Sequence, residues 1–331
     1  MVAISGSDCS SAVKVGVVGL GAFGRLHALT LASLTEAELV ALVARRQASI
    51  EELQRQLPGV PGWTDLDKAI RESDAQAWVV AASTAAHVPL TAQLLKADKT
   101  VLLEKPVAQS VAQAARLSSL VCQDSSNLMI GHILLFNSEF RMLTKEVARR
   151  GQPIFINSVR HRPVSTLEGY PGETPFCLLM VHDLYMVQVL TGGVEPDNFA
   201  AHVHRNEHGA VDLAVAELSW SQDCAASLVA SFLTPEGMAA DGFDRLEVFG
   251  KAWAARMDPN PRPLAFWDSR ARWPLALEIV ADPVASSGML AEELRAFCRV
   301  VRGVQAVPRG ARYADALQVH RWLQTLESAA E

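Results

Sequence analysis

The feature that most constrains this chain is a glycine motif close to its N-terminus. Residues 13–18 (VKVGVV) form an apolar run that predicts a buried strand, and Gly19, Gly21 and Gly24 follow with the spacing G-x-G-x-x-G. In this motif the first glycine allows a tight turn, the second lets a pyrophosphate approach the backbone, and the third lets a helix pack closely on the strand. The N–H groups at the start of the helix then bind the phosphates. Because an apolar strand precedes the glycines and a helical pattern follows them, we predict a dinucleotide site rather than an ordinary turn.

Composition excludes several classes of function. The chain has 331 residues, enough for two domains, and 50% of them are hydrophobic, so a large core can form. A net charge of -6 without a basic run argues against nucleic-acid binding. The five cysteines form no C-x-x-C pair, which favours a reducing cytoplasm. No stretch is apolar for long enough to span a bilayer, so we predict a cytoplasmic protein that binds a small-molecule substrate and no membrane.

The order of the apolar patterns predicts two domains. From residue 13 to about 130, short apolar strands alternate with helical patterns, which is typical of a doubly wound parallel sheet. From residue 198 to about 273, segments alternate apolar and polar residues, as in an antiparallel sheet with one solvated or partner-facing side. We therefore predict an α/β chain with three parts: a flexible tail over 1–12, a Rossmann domain over 13–128, and an α+β domain with an open, largely antiparallel sheet over 129–331.

Three segments carry more specific predictions of secondary structure. Val111–Gln123 and Pro175–Leu190 each read as one continuous helix, the second ending at Thr191-Gly192-Gly193. The proline-rich segment Met257–Pro263 is predicted to be a loop.

The end of the second strand bears on the choice between NAD and NADP. In NAD-binding folds an acidic residue about 20 residues beyond the glycines binds the ribose 2′-hydroxyl. Here the strand ends in Val43-Ala44-Arg45-Arg46, without a carboxylate. Guanidinium groups make charged, bidentate contacts to phosphate, so Arg45 and Arg46 favour the 2′-phosphate of NADP, with NAD as the second choice. The alternative is that both arginines belong to a solvated loop.

Two further motifs complete a familiar pattern. Ala82-Ser83-Thr84 follows a predicted strand and leads to His87, and after the next helix and strand comes Glu104-Lys105-Pro106. The order of glycine motif, S/T-x-x-H and E-K-P resembles the glucose–fructose oxidoreductase/inositol dehydrogenase family, Gfo/Idh/MocA. The strand-rich second half also fits the open-faced sheet domain of that family. Within the family, the glycine loop and the Val-Ala-Arg-Arg segment are most similar to members that act on aromatic-pathway intermediates.

The resemblance implies a set of functional residues. Lys105 would lie beside the nicotinamide and bind the substrate oxygen that changes oxidation state, where an ammonium stabilises alkoxide charge and relays a proton. Glu104 would support Lys105 or the cofactor ribose, and Thr84 would either line the cofactor or cap a helix. The residues implied for cofactor binding are Gly19, Gly21, Ala22, Phe23, Gly24, Arg45, Arg46, Ser83, Thr84, His87, Glu104 and Lys105.

The second half departs from the family at one position. The family carries Asp-x-x-x-His on the helix that faces the nicotinamide, a spacing that puts both side chains on one helical face. His182 fits the histidine, which would take the alcohol proton as hydride leaves, but Leu178 stands where the acid is expected. The orientation of His182 would then come from Asp183 or from water. The alternative for His182 is a histidine packed in the core.

Three residues are weaker candidates for substrate binding. His132, in a strand-end segment similar to one in the family, would line the pocket or cap a turn. Arg160 ends a strand whose family counterpart reaches the substrate, so it would bind a carboxylate or phosphate; a solvated strand end is the favoured alternative. Asp183 would contact substrate or serve structure, since it points about 100° away from His182 on an ideal helix.

Two expectations concern metals and subunits. The histidines at 202, 204 and 208 lack the acidic or cysteine partners of a typical zinc site, so we assign them to the surface and predict no metal. The family likeness, together with the alternation in the C-terminal strands, predicts a homodimer or homotetramer formed through the outer face of that sheet.

These observations predict an NADP-dependent oxidoreductase that interconverts a secondary alcohol and a ketone on a sugar-like or cyclic substrate, with Lys105 and His182 as catalytic residues. The alternative among enzymes is a dehydrogenase of a dihydrodiol or a carboxylated ring intermediate, favoured by Leu178 and the arginines. A catalytically inactive dinucleotide-binding regulator is the alternative of another class. The missing acid favours the regulator, whereas the intact E-K-P motif and His182 argue against it.

Overall fold

The chain divides into two compact units. A computed structural model describes residues 12–170, 172–221, 223–235, 243–259, 266–267, 271–272 and 287–330. The first unit comprises Met1–Gly131 and Asp282–Val307, and the second comprises His132–Ala281 and Pro308–Glu331. The sequence pattern divides the chain only once, near residue 128, whereas in the structure the first unit also takes up a segment from far along the chain. The predicted tail falls, up to residue 11, outside the described residues.

The first unit is built on a six-stranded sheet in which every pairing is parallel. Its strand order, β3-β2-β1-β4-β5-β6, is that of a dinucleotide-binding doubly wound sheet, so the predicted Rossmann fold is confirmed. Helices cover the strands, which explains why they are apolar runs rather than alternating ones. The strands are β1 Val13–Val18, β2 Ala37–Val43, β3 Gly62–Trp63, β4 Ala77–Val80, β5 Thr100–Glu104 and β6 Leu128–Gly131.

The helices of the first unit come from two parts of the chain. They are α1 Ala22–Ser33, α2 Gln47–Gln54, α3 Leu66–Glu72, α4 Thr84–Lys96, α5 Val111–Ala114 and, from the later segment, α8 Met289–Val301. The prediction of one helix over Val111–Gln123 is wrong, because α5 passes at Ala115–Leu117 into a 3-10 turn. Beyond this turn, Asn127 binds the backbone of the segment predicted to be helical. Its side chain accepts a hydrogen bond from the Cys122 N–H and donates one to the Leu120 carbonyl, so it replaces helical partners of the backbone.

The second unit contains a six-stranded mixed sheet of order β12-β11-β7-β10-β9-β8. All its pairings are antiparallel except β7 with β10, which confirms the predicted, largely antiparallel sheet. The predicted loop over 257–263 is wrong at Met257, which ends β12, and its residues 260–263 lie outside the described chain. The strands are β7 Phe155–Pro163, β8 Asn198–Arg205, β9 Val211–Trp220, β10 Cys224–Thr234, β11 Phe243–Gly250 and β12 Trp253–Met257, with a separate pair β13 Phe266–Trp267 and β14 Ala271–Arg272.

One face of this sheet carries three exposed phenylalanines among polar residues. Phe155 on β7 lies opposite Phe249 on β11, their rings 6.1 Å apart, and Phe243 lies further along the same strand. The three phenylalanines are 37%, 43% and 39% exposed. This is the face that the sequence analysis assigns to a subunit contact, and that assignment stays a prediction.

The helices of the second unit correct one prediction. They are the 3-10 turns Ile133–Phe136 and Val164–Gly169, α6 Ser138–Arg150, the π-helical turn Phe176–Met180, α7 Val181–Leu190 and α9 Tyr313–Ala329. The segment Pro175–Leu190 is therefore not one regular helix. Bonds in a π turn run from residue i to i+5, so the α-helical phase expected between Leu178 and His182 does not hold. Among the described residues, no helix is both long and apolar enough to cross a membrane.

We expect Gly24→Ala to destabilise the first unit. A Cβ atom at this position would overlap the carbonyl oxygen of Gly19, which is backbone and cannot rotate away. Overpacking of this kind costs about 1–3 kcal/mol or more in the free energy of unfolding. Gly21→Ala is the matched control, because a Cβ there meets no heavy atom within 4 Å. Urea denaturation followed by circular dichroism checks the pair, and equal losses of stability in both variants would contradict the expectation.

Candidate active site

The glycine loop has the geometry of a phosphate-binding turn. Gly19 adopts a φ of +92°, which favours glycine, and its N–H donates to the Val43 carbonyl at 2.9 Å. Gly21 is the N-cap of α1, and no heavy atom lies within 4 Å of the place where a Cβ atom would stand. The first turn of α1 contains no acidic residue and its N-cap makes no side-chain hydrogen bond. The backbone N–H groups at this helix end, with the positive end of the helix dipole, are therefore suited to an anion.

Arg45 and Arg46 follow the carboxyl end of β2, the neighbour of β1 in the sheet. Both arginines are exposed, and Arg46 is the N-cap of α2. The carboxylate of Glu52, on the same helix, is bonded to Arg25 on α1 at 2.6 Å. The hydrogen bond from Arg25 lowers the pKa of Glu52, with a smaller contribution from the charge of Arg46. Two exposed guanidinium groups, those of Arg45 and Arg46, thus lie just beyond the carboxyl end of β2.

The S/T-x-x-H residues lie where β4 leads into α4. Ser83 occupies the N-cap position without making a capping hydrogen bond, and Thr84 is the first residue of the helix, so the cap predicted as an alternative for Thr84 is not formed by it. His87 is buried. Its Nδ1 lies 2.7 Å from the carbonyl oxygen of Pro106 and its Nε2 lies 3.0 Å from that of Ala82. Burial lowers the pKa of His87 despite these contacts, and its ring ties α4 to the segment that follows β5.

The E-K-P turn (Glu104-Lys105-Pro106) follows directly from β5, and its Lys105–Pro106 peptide is cis. The Glu104 carboxylate is buried. Its Oε2 accepts the N–H of Lys105 at 3.2 Å, and its Oε1 lies 2.8 Å from Nε2 of His27. Gly131, paired with Glu104 across β5 and β6, leaves room for this carboxylate, since a Cβ at 131 would lie 2.9 Å from Oε1. These contacts are to the backbone of Lys105 and the ring of His27, and both roles predicted for Glu104 stay predictions.

Two buried residues beside Glu104 escaped the sequence analysis. His27 on α1 and Glu293 on α8 are both 0% exposed. One potential ligand atom from each lies within 4.8 Å of one from Glu104. A signal for His27 did exist, because it follows Gly24 by three residues and so lies on the same face of α1. No motif in the sequence around Glu293 points to this group. Glu293 lies beside Glu104 because α8 packs in the first unit.

In the second unit, Tyr185 is the partner of His182. The phenol oxygen of Tyr185 lies 2.9 Å from Nδ1 of His182 and accepts the N–H of Leu134 at 3.2 Å. Tyr185 is fully buried, whereas His182 is half-buried. Tyr185 follows His182 by three residues on α7, a spacing that brings the two side chains to one face. The His182 ring thus contacts a tyrosine that the sequence analysis did not consider.

His132 extends this arrangement. It is buried, and its Nδ1 lies 2.6 Å from the carbonyl oxygen of Gly310, an acceptor, so Nδ1 carries a proton. Its ring stacks on that of Tyr185 at a centroid distance of 4.2 Å and an angle of 11°. His132, Tyr185 and His182 are therefore held in fixed mutual positions within the second unit.

Arg160 and Asp183 form a buried ion pair. Arg160 is 3% exposed, so its favoured interpretation as a solvated strand end is wrong. It donates to Asp183 at 3.0 and 3.2 Å and to Asp244 at 2.7 Å, and Ser158 donates to Asp183 at 2.8 Å. Although burial opposes its charge, the two carboxylates raise the pKa of Arg160. Arg162 also pairs with Asp244, at 2.6 Å, so the charges of this cluster are compensated inside the protein.

The histidines at 202, 204 and 208 lie at the surface, as predicted. The side chains of His204 and His208 are 61% and 81% exposed. His204 does have an acidic partner, Asp212, at 2.7 Å, which the sequence analysis missed. The two residues lie on the adjacent strands β8 and β9, at a register shift where His204 pairs with Leu213. Within the described residues, the one group of three ligand-type side chains close enough to hold a metal is instead His27, Glu104 and Glu293.

Comparison with known proteins agrees with this geometry. Residues 13–132 match the model of the Gfo/Idh/MocA oxidoreductase family, described as an NAD-binding Rossmann fold. The myo-inositol 2-dehydrogenase of Thermotoga maritima is 26% identical over 248 residues, which cover 72% of this chain and 73% of the relative. The 4-carboxy-2-hydroxymuconate-6-semialdehyde dehydrogenase of Sphingobium sp. is 24% identical over 135 residues, covering 41% of this chain and 43% of the relative.

Solved structures share the fold along almost the whole chain. The scyllo-inositol dehydrogenase of Lactobacillus casei, with bound NAD(H) and scyllo-inositol, superposes with a TM-score of 0.82 at 20% identity over 97% of both chains. A probable dehydrogenase from Thermotoga maritima gives a TM-score of 0.81 at 23% identity over 96% of both chains. Residues 13–132 therefore match the Gfo/Idh/MocA oxidoreductase family, and the solved dehydrogenases share the fold of the chain.

Proposed function

We propose that the protein is a dehydrogenase that interconverts a secondary alcohol and a ketone on a cyclic polyol or a similar sugar-like substrate. The observation that carries this proposal is the E-K-P turn. Lys105 follows β5 and Gly19 follows β1, and because these strands are parallel, both residues lie at the carboxyl edge of one sheet. Ligands of open α/β sheets bind outside this edge. The relatives named as inositol dehydrogenases support the choice of a cyclic polyol.

The residues of the first unit fit a nicotinamide dinucleotide. The open side of Gly21 and the uncapped start of α1 suit a pyrophosphate, and Arg45 and Arg46 suit a 2′-phosphate. We therefore propose NADP as the preferred cofactor. When bound, it would accept or supply the hydride of the reaction.

Lys105 is proposed to act on the substrate oxygen. An ammonium at this place stabilises the negative charge that develops on the oxygen as hydride leaves the carbon. Glu104 accepts the backbone N–H of Lys105 and thereby fixes where the side chain begins. The role of the lysine is then electrostatic, with a proton relayed to or from the same oxygen.

His182 is proposed to exchange the alcohol proton. A histidine can do so near neutral pH only when its ring is held in one orientation. The phenol of Tyr185 supplies that hold, and the backbone N–H of Leu134 and the ring of His132 fix the phenol in turn. In this proposal Tyr185 does the work that an acid at position 178 does in the family.

A second candidate is a dehydrogenase of a carboxylated ring intermediate. Leu178 makes the helix before His182 less polar than a carboxylate would, and the Sphingobium relative is named for such a substrate. The buried pairing of Arg160 removes one argument, because its charge is already compensated by Asp183 and Asp244. Cyclic polyols therefore remain the first choice.

Turnover by the purified protein tests the function. We would screen NADP- and NAD-linked oxidation of inositols, sugars, ring diols and carboxylated ring alcohols by absorbance at the nicotinamide band. Lys105→Ala should lower kcat by about a hundredfold or more, because general acid–base groups contribute roughly 10²–10⁴. It should leave dinucleotide affinity nearly unchanged. Lys96→Ala, at an exposed lysine of α4, is the control. Tight dinucleotide binding without turnover of any substrate would favour a non-catalytic regulator.

Cofactor preference is tested at the end of β2. Replacing Arg45 and Arg46 together by glutamine should raise the Kd for NADPH on the order of tenfold or more, since a hydrogen bond to a charged group contributes about 1.5–3 kcal/mol. The Kd for NADH should not change. Arg55→Gln, at an exposed arginine that ends α2, is the control. Fluorescence titration gives both constants, and equal effects on both cofactors would remove the case for the arginines.

The support of His182 by Tyr185 is tested by Tyr185→Phe. This variant keeps the ring that stacks on His132 and loses only the hydroxyl. The loss of the hydrogen bond between the hydroxyl and His182, about 1 kcal/mol, should lower kcat roughly five- to tenfold with little change in KM. Tyr170→Phe, at a tyrosine that is 52% exposed, serves as the control. Unchanged kinetics in Tyr185→Phe, with turnover that still depends on His182, would show that the tyrosine does not orient the histidine.

A further inference from the structure

A group of three buried ionisable side chains adjoins the E-K-P turn within the first unit. His27, Glu104 and Glu293 come from α1, β5 and α8 and are 0%, 7% and 0% exposed. One potential ligand atom from each lies within 4.8 Å of the others. Among the described residues, neither carboxylate oxygen of Glu293 has a hydrogen-bond partner, and Nδ1 of His27 has none either. A fully buried acid without a partner is rare, so the state of its proton matters.

The two carboxylates compete for one charge. Two carboxyl groups this close in a dry interior do not both ionise. Glu104 has two contacts that stabilise its ionised form, the ring of His27 at 2.8 Å and the N–H of Lys105 at 3.2 Å. Glu293 has no comparable contact in the part of the chain that the structure describes. Burial, and then the charge of Glu104, raise the pKa of Glu293 well above its ordinary value.

The other charged groups nearby do not favour ionisation of Glu293 over ionisation of Glu104. From α4, His87 also faces Glu104, but its ring nitrogens lie against the carbonyls of Pro106 and Ala82, and burial lowers its pKa. On α8 itself, Arg295 is bonded to Glu292 at 2.9 Å and to Glu36 at 3.2 Å. These charges are paired with one another rather than with Glu293.

We propose that Glu293 holds a proton at neutral pH and, together with His27, keeps the single negative charge of the group on Glu104, so that both residues position Lys105 through that carboxylate. Ionisation of Glu293 would place a second negative charge within 4.8 Å of Glu104 and compete for the contacts that hold the turn. The part of this inference that concerns Lys105 rests on the proposed function. The part that concerns the proton on Glu293 does not.

The spacing of the three side chains would also suit a divalent cation, and the two possibilities differ in charge. A cation requires Glu293 to be ionised, since metal ligands bind deprotonated. A protonated Glu293 is instead mimicked by glutamine, which has the same shape and cannot ionise. The Glu293→Gln variant therefore separates them.

The pH dependence of stability tests the proton. In the unfolded chain Glu293 ionises near pH 4.3, whereas in the folded chain it stays protonated, so above that pH the folded state binds one proton more. Rising pH then destabilises the wild type relative to Glu293→Gln, by up to about tenfold in the unfolding constant per pH unit until Glu293 itself ionises. We expect this divergence in urea titrations between about pH 5 and pH 8. Glu292→Gln, one residue earlier on α8, should show no such divergence.

The positioning role is tested by turnover. His27→Leu removes the donor to Glu104 and should lower kcat by about tenfold, with KM within about twofold. His27→Gln can still donate a hydrogen bond and should restore most of the rate. The divergence between wild type and Glu293→Gln in the stability experiment reports the proton on Glu293 separately from this positioning role. That readout needs no substrate, so failure of the proposed function leaves it interpretable.

Three outcomes would overturn the proposal. One is a difference between wild type and Glu293→Gln that does not vary with pH. Another is stoichiometric divalent metal in the wild type, measured by mass spectrometry and lost in Glu293→Gln, with EDTA lowering the stability of the wild type only. The third is wild-type kcat in a folded His27→Leu variant, which would leave Glu293 as a protonated acid without a positioning role for the group.

Discussion

The buried carboxylate of Glu104 is the constraint on which the proposed chemistry of the first unit depends. It reaches Nε2 of His27 on α1 and the backbone of Lys105, and it fits only because Gly131 on β6 carries no side chain. One carboxylate therefore contacts both α1, the helix after the glycine loop, and Lys105, the lysine proposed for catalysis. A change to that charge acts on both, which is why the proton on Glu293 bears on function rather than on packing alone.

In the second unit, the polar residues that form buried ion pairs differ from the one proposed for catalysis. Arg160, Asp183 and Asp244 satisfy one another in the interior, and removing one partner of such a cluster would leave an uncompensated buried charge. His182 is different, since it is half-buried and held through a neutral phenol. The phenol holds the His182 ring in one orientation without a buried ion pair, which suits the proton exchange proposed for this residue. This difference is the reason to place catalysis at His182 and stability at Asp183.

Local patterns in the sequence sufficed for much of the fold. The apolar run of β1, the glycine loop and α1 are encoded within two dozen residues, and alternation along β9 and β10 reports one covered and one open face. The prediction failed where a partner lies elsewhere in the chain or the helix changes its hydrogen bonding. The helix predicted to run to Gln123 passes into a 3-10 turn at Ala115–Leu117, and a π turn begins the one predicted from Pro175. Neither change in the hydrogen bonding of the helix alters the spacing of apolar residues, so the sequence pattern does not reveal it.

The sequence by itself determined the doubly wound first unit and the strand-rich second unit, and it put forward Lys105 and His182 as candidates, because strand and turn patterns and short motifs lie within a few residues of one another. Only the tertiary structure decided which residues surround them. The hydroxyl of Tyr185 reaches His182 and the Leu134 backbone, which is why we propose it as the partner of His182. Glu293 joins Glu104 because α8 returns to the first unit from far along the chain. Burial and proximity across such separations set charges and proton positions, and no local pattern records them.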